Sequence, residues 1–293
     1  MVAEPPGRAP TFLYIGTSKA GSTWLFNALS IHPDVYLAAS KGLYYFDSHF
    51  ENGAAWYLRQ FADAREQRAI GEISHSYLSS PQTPSRIAAV NRAMRLLVCL
   101  REPVDRAFSD YLDLVKNGQH QGTFEFALER FPRLVERGRY ATHLDRYLEE
   151  FPREQLHVGL FDDLLDDAQT YADDVFRFLG VPQLELPTDA LQRRMPAGVA
   201  RSPAAAAAAK KASQLVRRLG LRRLRSRVKR STLVRQSLYR SYQTDRPTVD
   251  PALATELRRT FSSEVHRLDK ILGTPVSQRW GYGSVDADRD GTH

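Results

Sequence analysis

The stretch from Thr11 to Pro33, TFLYIGTSKAGSTWLFNALSIHP, restricts the possible folds more than any other. An apolar, β-prone run from Phe12 to Ile15 enters a loop of small residues, and Ser22 to Ser30 has the composition of a helix. The pattern is strand, loop, helix. Gly16 and Gly21 let the backbone turn with its N–H groups pointing inward; Lys19 adds a cation, and Ser22 and Thr23 add hydroxyls at the positive helix end. A phosphate or similar oxyanion suits such a loop. In the usual triphosphate loop, GxxxxGK[ST], lysine directly follows the second glycine. Here Ser22 follows it and Lys19 lies two residues before it, so the expected occupant is a single 5′ phosphate group rather than a magnesium-bound triphosphate. A plain strand-to-helix turn is the alternative reading.

At 293 residues and 42% hydrophobic content, the chain can bury a large core as one domain with appendages. It has no apolar run of membrane-spanning length and no apolar leader before a cleavage site, so the expectation is a soluble, cytoplasmic protein. Cys99, the only cysteine, excludes an intrachain disulfide and a cysteine-based metal site; within LLVCL it reads as a small buried hydrophobe. Residues 210–230, KKASQLVRRLGLRRLRSRVKR, contain no acid and carry more positive charge than the whole chain's net +7. The remainder is therefore slightly acidic. This segment, with leucines and valines near helical spacing, suits an anionic membrane surface, a polyanionic substrate or a solvated lid. No reader motif supports nucleic-acid recognition.

Further strands are expected after Asp34, at Ala69–Glu72, within MRLLVCL and at the start of LHVGLFDDL, with helices at Ala54–Phe61, over TPSRIAAVN, along residues 123–150 and at 171–181. This alternation predicts an α/β fold: an open parallel sheet of the P-loop kind flanked by helices. Phe124, Phe126, Leu128 and Phe131, followed by Tyr140, Leu144, Tyr147 and Leu148, read as a periodic stripe. Asp162, Asp163, Asp166 and Asp167 read as an acidic loop that caps a helix rather than binds metal. Pro196–Pro203 reads as a loop, and the first ten and last ten residues as frayed. A closing helix is expected at 252–273, with Leu257, Phe261, Val265, Leu268 and Leu272 inward and Gly273 as its stop.

Beyond the buried strand lies REPVDRAFSDYLDLVKNG. Arg101 stands at the strand end, and Arg106, Ser109 and Asp110 share one side of the next helix. In a doubly wound sheet this turn and the first loop face one crevice, so Arg101 and Ser109 suit a second phosphate.

Taken together, TSKAGSTW and REPVDRAFSDY resemble the sulfotransferases that use 3′-phosphoadenosine 5′-phosphosulfate, particularly the branch of heparan sulfate sulfotransferases and related bacterial enzymes. The likeness runs from about Thr11 to Gly180 and resumes from Leu238 to Trp280. It implies one sulfotransferase domain over residues 1–293, with a basic helical insertion or lid at about 197–235. It also implies that Lys19, Ala20, Gly21, Ser22, Thr23 and Trp24 hold the 5′ phosphosulfate, and that Arg101 and Ser109 hold the 3′ phosphate. The acceptor would then attack sulfur in line while Lys19 and the loop N–H groups stabilise the leaving oxygen, chemistry that requires no metal.

Two segments depart from the family. SKGLYYFD keeps Lys41 and Asp47, but has Gly42 where a glutamate base is frequent and Tyr44 where a histidine is frequent. GEISHSYL has Ile73 and His75 where lysine and proline are frequent. His75 is the first choice of replacement base, with Asp47 and Glu72 next; Glu72 could instead orient His75 or Lys41. Tyr44, Tyr45, Phe46, Tyr77 and Tyr111 are candidate aromatic walls for a carbohydrate, lipid-linked or small natural-product acceptor. Two other readings stand beside this one: a nucleotide-binding module without transfer activity, and an atypical P-loop phosphotransferase that uses magnesium and ATP.

Overall fold

In the computed structural model, which describes residues 8–191, 198–200, 239–241 and 247–283, five strands form a parallel sheet. They are β1 (Phe12–Gly16), β2 (Val35–Leu37), β3 (Ala69–Ile73), β4 (Arg95–Leu100) and β5 (Leu156–Leu160), in spatial order β2-β3-β1-β4-β5. The chain leaves central β1 towards β2 and β3, then crosses to β4 and β5. The order reverses at β1, and ligands of such sheets bind beyond the C-terminal strand ends at that point.

Adjacent strand residues face opposite layers. Leu13, Ile15, Leu96, Val98 and Leu100 enter one core, while Phe12, Tyr14, Leu97 and Cys99 enter the other. Both faces are therefore covered, which is why these strands read as continuous apolar runs. The second layer comprises α1 (Ser22–Ile31), with Trp24, Leu25 and Leu29 inward, and α10 (Ala168–Leu179), with Tyr171, Val175 and Phe176 inward. The first is built from α2 (Tyr45–Ser48), α3 (Gly53–Leu58), α4 (Thr83–Val90), α5 (Pro103–Lys116), α8 (Tyr140–Leu148) and the long helix Pro251–Leu272. Asp250 caps that last helix through the N–H groups of Ala252 and Leu253; Leu257, Phe261, Val265 and Leu268 are buried, and Gly273 ends it at φ 69°. Among the described residues no helix is long and apolar enough to cross a membrane.

Several local expectations change. Residues 123–150 form three helices, α6 (Phe124–Arg130), α7 (Arg133–Glu136) and α8, because Pro132 and Gly138 interrupt the run. Their faces are no longer in phase, and Phe126 is 51% exposed. The acidic loop is a helix, α9 (Phe161–Asp166), with Asp162 and Asp163 in its first turn, where the helix dipole favours them, and Leu164 buried. Asp167 caps α10, as read. The other three acids hold the C-terminal segment: Trp280 donates its indole N–H to Asp162 at 3.0 Å, and Arg279 pairs with Asp163 and Asp166. Within Pro196–Pro203, Gly198–Ala200 pairs as an antiparallel strand with Tyr239–Ser241, so its backbone groups bond to each other rather than to water. Of the expected frayed N-terminus, Arg8 is tied to the Arg65 and Gln67 carbonyls. The alanine run, the basic segment 210–230 and residues 284–293 lie outside the described residues.

Candidate active site

The turn that follows β1 is anchored from two sides. The Thr17 N–H donates to the Cys99 carbonyl at the end of β4, and the Tyr14 hydroxyl donates to the Thr17 carbonyl. Lys19 and Gly21 then take positive φ, 69° and 76°, and Gly21 becomes the N-cap of α1 with no side-chain capping bond. The positive φ favours glycine at 21, and a Cβ there would lie 2.5 Å from Leu164 Cδ2, which would have to shift. An uncapped first turn leaves N–H donors for an external acceptor. Ser18 Oγ, buried in the same turn, has no hydrogen-bond partner. Such a donor fits an anion.

Lys41 reaches this turn from the segment after β2. Its ammonium donates to Ser22 Oγ at 2.9 Å and Thr23 Oγ1 at 2.7 Å, so three predicted residues meet at one helix end. Lys19 points to α5 instead and pairs with Asp113 at 3.2 Å, its side chain 28% exposed. The Ala20 methyl is buried, and the Trp24 indole donates to the Ala190 carbonyl inside the second core, so these two present only backbone groups to the turn.

Arg101 lies across the crevice at the end of β4. Its guanidinium donates to the Lys19 carbonyl at 3.3 Å, pairs with Asp105 at 3.6 Å and sits over the Phe161 ring. The Tyr140 hydroxyl donates to the Arg101 carbonyl, and Glu102 caps α5 while accepting the Tyr282 hydroxyl at 2.7 Å. Ser109 is one helical turn after Asp105 and one before Asp113, the carboxylates that hold Arg101 and Lys19. Arg106 does not share this ridge. It is fully buried, donates to the Leu134 carbonyl and pairs with Asp110, which also binds Arg137.

The base candidates occupy different environments. Glu72, 1% exposed, accepts hydroxyls from Tyr77 at 2.7 Å, Tyr57 at 3.3 Å and Ser74 at 3.0 Å. Burial pushes its pKa up to about 7 against the lowering effect of those bonds. It is thus enclosed in the core rather than open to an acceptor. Asp47 accepts the Ser76 hydroxyl, while its Oδ1 is buried without a partner. His75 Nε2 lies 2.7 Å from the Tyr44 hydroxyl, and its Nδ1 is buried without a partner. Burial first, then the charges of Lys41, Arg137 and Lys19, lower its pKa to about 4 against an opposing effect from Asp110. The imidazole is neutral at pH 7.

Of the proposed aromatic walls, Tyr45, Phe46 and Tyr77 belong to the core, and Tyr111 packs on Phe108 and Phe124 with its hydroxyl on the Gly122 carbonyl. Sequence reasoning missed Ser18, Asp113, Asp105 and the Tyr44–His75 bond. The departures at 44 and 75 were the available signal for that bond; nothing local marks the acids on α5 as partners of Lys19 and Arg101.

Glu72 and His75 make opposite contributions to stability with pH. Glu72 is raised from 4.5 to about 7, so its contribution is complete below pH 4.5 and is lost as pH rises through 7. His75 is lowered from 6.5 to about 4, so its contribution is present above pH 6.5 and is lost as pH falls through 4. Glu72→Gln isolates the first effect. The unfolding free energy of the variant relative to wild type is expected to be higher at pH 8 than at pH 4.5 by about 3 kcal/mol, measured by urea unfolding. A difference that does not change with pH would contradict a protonated buried carboxyl.

The family model described as "Sulfotransferase domain" matches residues 9–269. Heparan sulfate glucosamine 3-O-sulfotransferase 5 of Mus musculus is 28% identical over 187 residues, 59% of this chain and 54% of that protein. The membrane-associated sulfotransferase kil1 of Dictyostelium discoideum is 35% identical over 105 residues, 35% of this chain and 22% of that protein. A sulfotransferase crystal structure from Alicyclobacillus acidocaldarius superposes with a TM-score of 0.69 at 24% identity, covering 94% of this chain and 99% of that one, a likeness of fold. The chain spans about half the length of the curated heparan sulfate relatives it matches.

Proposed function

Since this chain belongs to the sulfotransferase domain family, whose model spans residues 9–269, we propose that it transfers a sulfuryl group from 3′-phosphoadenosine 5′-phosphosulfate to an acceptor hydroxyl or amine. The observation that carries this reading is the junction of two anion-seeking clusters: Lys41, Ser22 and Thr23 at the uncapped start of α1, and Arg101, held by Asp105 on the α5 ridge that also carries Ser109, linked by the hydrogen bond from Arg101 to the Lys19 carbonyl. We read the turn as a P-loop variant in which the displaced lysine suits one phosphate group rather than a triphosphate chain.

When bound, the donor supplies the sulfuryl group and a phosphate leaving group. The orphaned Ser18 hydroxyl, the N–H groups at the start of α1 and Lys41 hold the 5′ phosphate. Lys19 turns from Asp113 to the oxygen that becomes negative as the bond to sulfur breaks; fixed donors at such a site act where charge develops. Arg101 and Ser109 hold the 3′ phosphate. His75, neutral at pH 7, is the base, because Glu72 is enclosed by three hydroxyls and Asp47 is engaged by Ser76. The acceptor class is a carbohydrate, a lipid-linked compound or a small natural product; the curated heparan sulfate relatives favour a sugar.

Titration calorimetry with 3′-phosphoadenosine 5′-phosphate and separately with magnesium-ATP tests the donor assignment. Binding of the bisphosphate with little affinity for magnesium-ATP is the expected result. A folded protein that ignores the bisphosphate overturns the reading, and magnesium-dependent ATP binding favours phosphoryl transfer instead.

A further inference from the structure

Gly42 and Tyr44 are two of the positions at which this sequence departs from the pattern it resembles, and the fold shows that the two depend on each other. A Cβ placed on Gly42 would lie 2.6 Å from Tyr44 Cε2, 2.8 Å from Cζ and 2.9 Å from the hydroxyl oxygen. The phenol therefore fills the volume in which any side chain at 42 would begin. Gly42 and Tyr44 both take positive φ, 79° and 53°. The Tyr44 conformation is unusual for an aromatic residue and is pinned from below: its N–H donates to Ser74 Oγ, which donates to the buried Glu72. Glu72 thus positions Tyr44 through Ser74.

The partner of that phenol is His75, whose ring meets the Tyr44 ring edge-on with Nε2 2.7 Å from the hydroxyl. The geometry points to Tyr44 and His75 as a relay that takes the place of a carboxylate base, the phenol receiving the acceptor's proton while giving its own to His75 Nε2. This rests on the sulfuryl-transfer reading above and deepens it.

The step balances. The acceptor O–H (or N–H) bond breaks, its proton joins the Tyr44 oxygen, and its electron pair forms the bond to sulfur. The bond from sulfur to the 5′-phosphate oxygen breaks, and its electron pair leaves with the phosphate. The original Tyr44 proton moves to Nε2, and the resulting imidazolium returns it to solvent through Tyr44 after product departs.

The charged groups around His75 come from four segments: Lys41 beside Gly42, Lys19 in the first turn, Asp110 on α5 and Arg137 after α7. Burial first, and then the three cations among them, keep the imidazole neutral before the donor binds. Donor phosphates on Lys41 and Lys19 offset two of them, so the imidazolium becomes easier to form when it is needed. Bisphosphate binding should therefore raise the His75 pKa.

Three measurements on the full chain test the relay. Long-range ¹H–¹⁵N correlation on ¹⁵N-labelled protein, with and without 3′-phosphoadenosine 5′-phosphate, reads the His75 tautomer, with His75→Gln used to assign the signal. An unprotonated Nε2 whose shift moves in Tyr44→Phe is expected; a protonated Nε2 overturns the relay. Release of 3′-phosphoadenosine 5′-phosphate from the donor, with water as acceptor, is expected to fall about 100-fold in Tyr44→Phe, with the double variant Tyr44→Phe/His75→Gln no slower than the slower single one. Bisphosphate affinity by calorimetry should change by no more than about threefold, as no donor contact is lost. Unchanged release in Tyr44→Phe, or loss in Asp47→Asn alone, overturns the relay and leaves the sulfuryl-transfer reading standing. Absent bisphosphate binding in the wild type defeats that reading itself. The tautomer in the unliganded protein then still judges the pair, as it does if release with water is below detection.

Discussion

Arg106→Ala is expected to lower the free energy of unfolding by about 3 kcal/mol, whereas Arg106→Met should stay within about 1 kcal/mol of wild type. The side chain is fully buried between α5 and α7. Its Nη2 serves the Leu134 carbonyl, but Nε and Nη1 have no hydrogen-bond partner, and the Asp110 carboxylate is 3.6 Å from Nη1. Burial accordingly lowers its pKa. A guanidinium so poorly compensated contributes mainly by filling space. Either substitution removes the donor to the Leu134 carbonyl and the cost of desolvating the charge, but only alanine also opens a cavity; Asp110 keeps Arg137 at 3.1 Å in both. Methionine refills much of the volume without a charge to desolvate. Urea unfolding of both variants checks this, and a methionine variant as unstable as the alanine one would show that the hydrogen bond to Leu134, not the volume, holds the two helices. Because Arg106 faces the core, bisphosphate affinity should be preserved in Arg106→Met.

The second large effect is expected at Lys41. Lys41→Ala should weaken binding of 3′-phosphoadenosine 5′-phosphate by about 10- to 100-fold, the range of a charge-assisted hydrogen bond worth about 1.5–3 kcal/mol. Its ammonium already lies at the uncapped start of α1, held by Ser22 and Thr23, so little rearrangement precedes contact with an anion. Lys19 differs, because it must first leave Asp113. Lys19→Ala is therefore expected to cost less in bisphosphate affinity than Lys41→Ala. It should cost more in turnover, since its charge is needed as the leaving oxygen becomes negative. Calorimetry on the two variants, with donor turnover measured in parallel, separates the roles. Equal losses of affinity would contradict the division.

Much of the fold was legible because its signals are local. Phe12–Gly16 and Arg95–Leu100 are apolar without alternation since both of their faces are covered, and that pattern alone predicts buried parallel strands. Gly180 and Gly273 end their helices at positive φ, as expected from glycine at a C-cap. The errors arose where a local pattern has two physical solutions. An acid run after a strand serves a loop or a helix N-terminus equally well, and Leu164 burial decided for the helix. Arginine at i and serine at i+3 share a helix side, yet packing against α7 drew Arg106 inward while Ser109 kept to the ridge between Asp105 and Asp113.

By itself the sequence determined the strand-turn-helix around Lys19, the parallel sheet and the two separated anion-seeking segments, because each depends on residues within a few positions of one another. The pairing of those segments is a tertiary matter. Lys41 reaches Ser22, Arg101 reaches the Lys19 carbonyl and Tyr44 reaches His75 only because strand order β2-β3-β1-β4-β5 brings loops far apart in the chain to one sheet edge. Burial then set the protonation of Glu72 and His75, which depends on how much water the packed layers exclude and on no property of the residues alone.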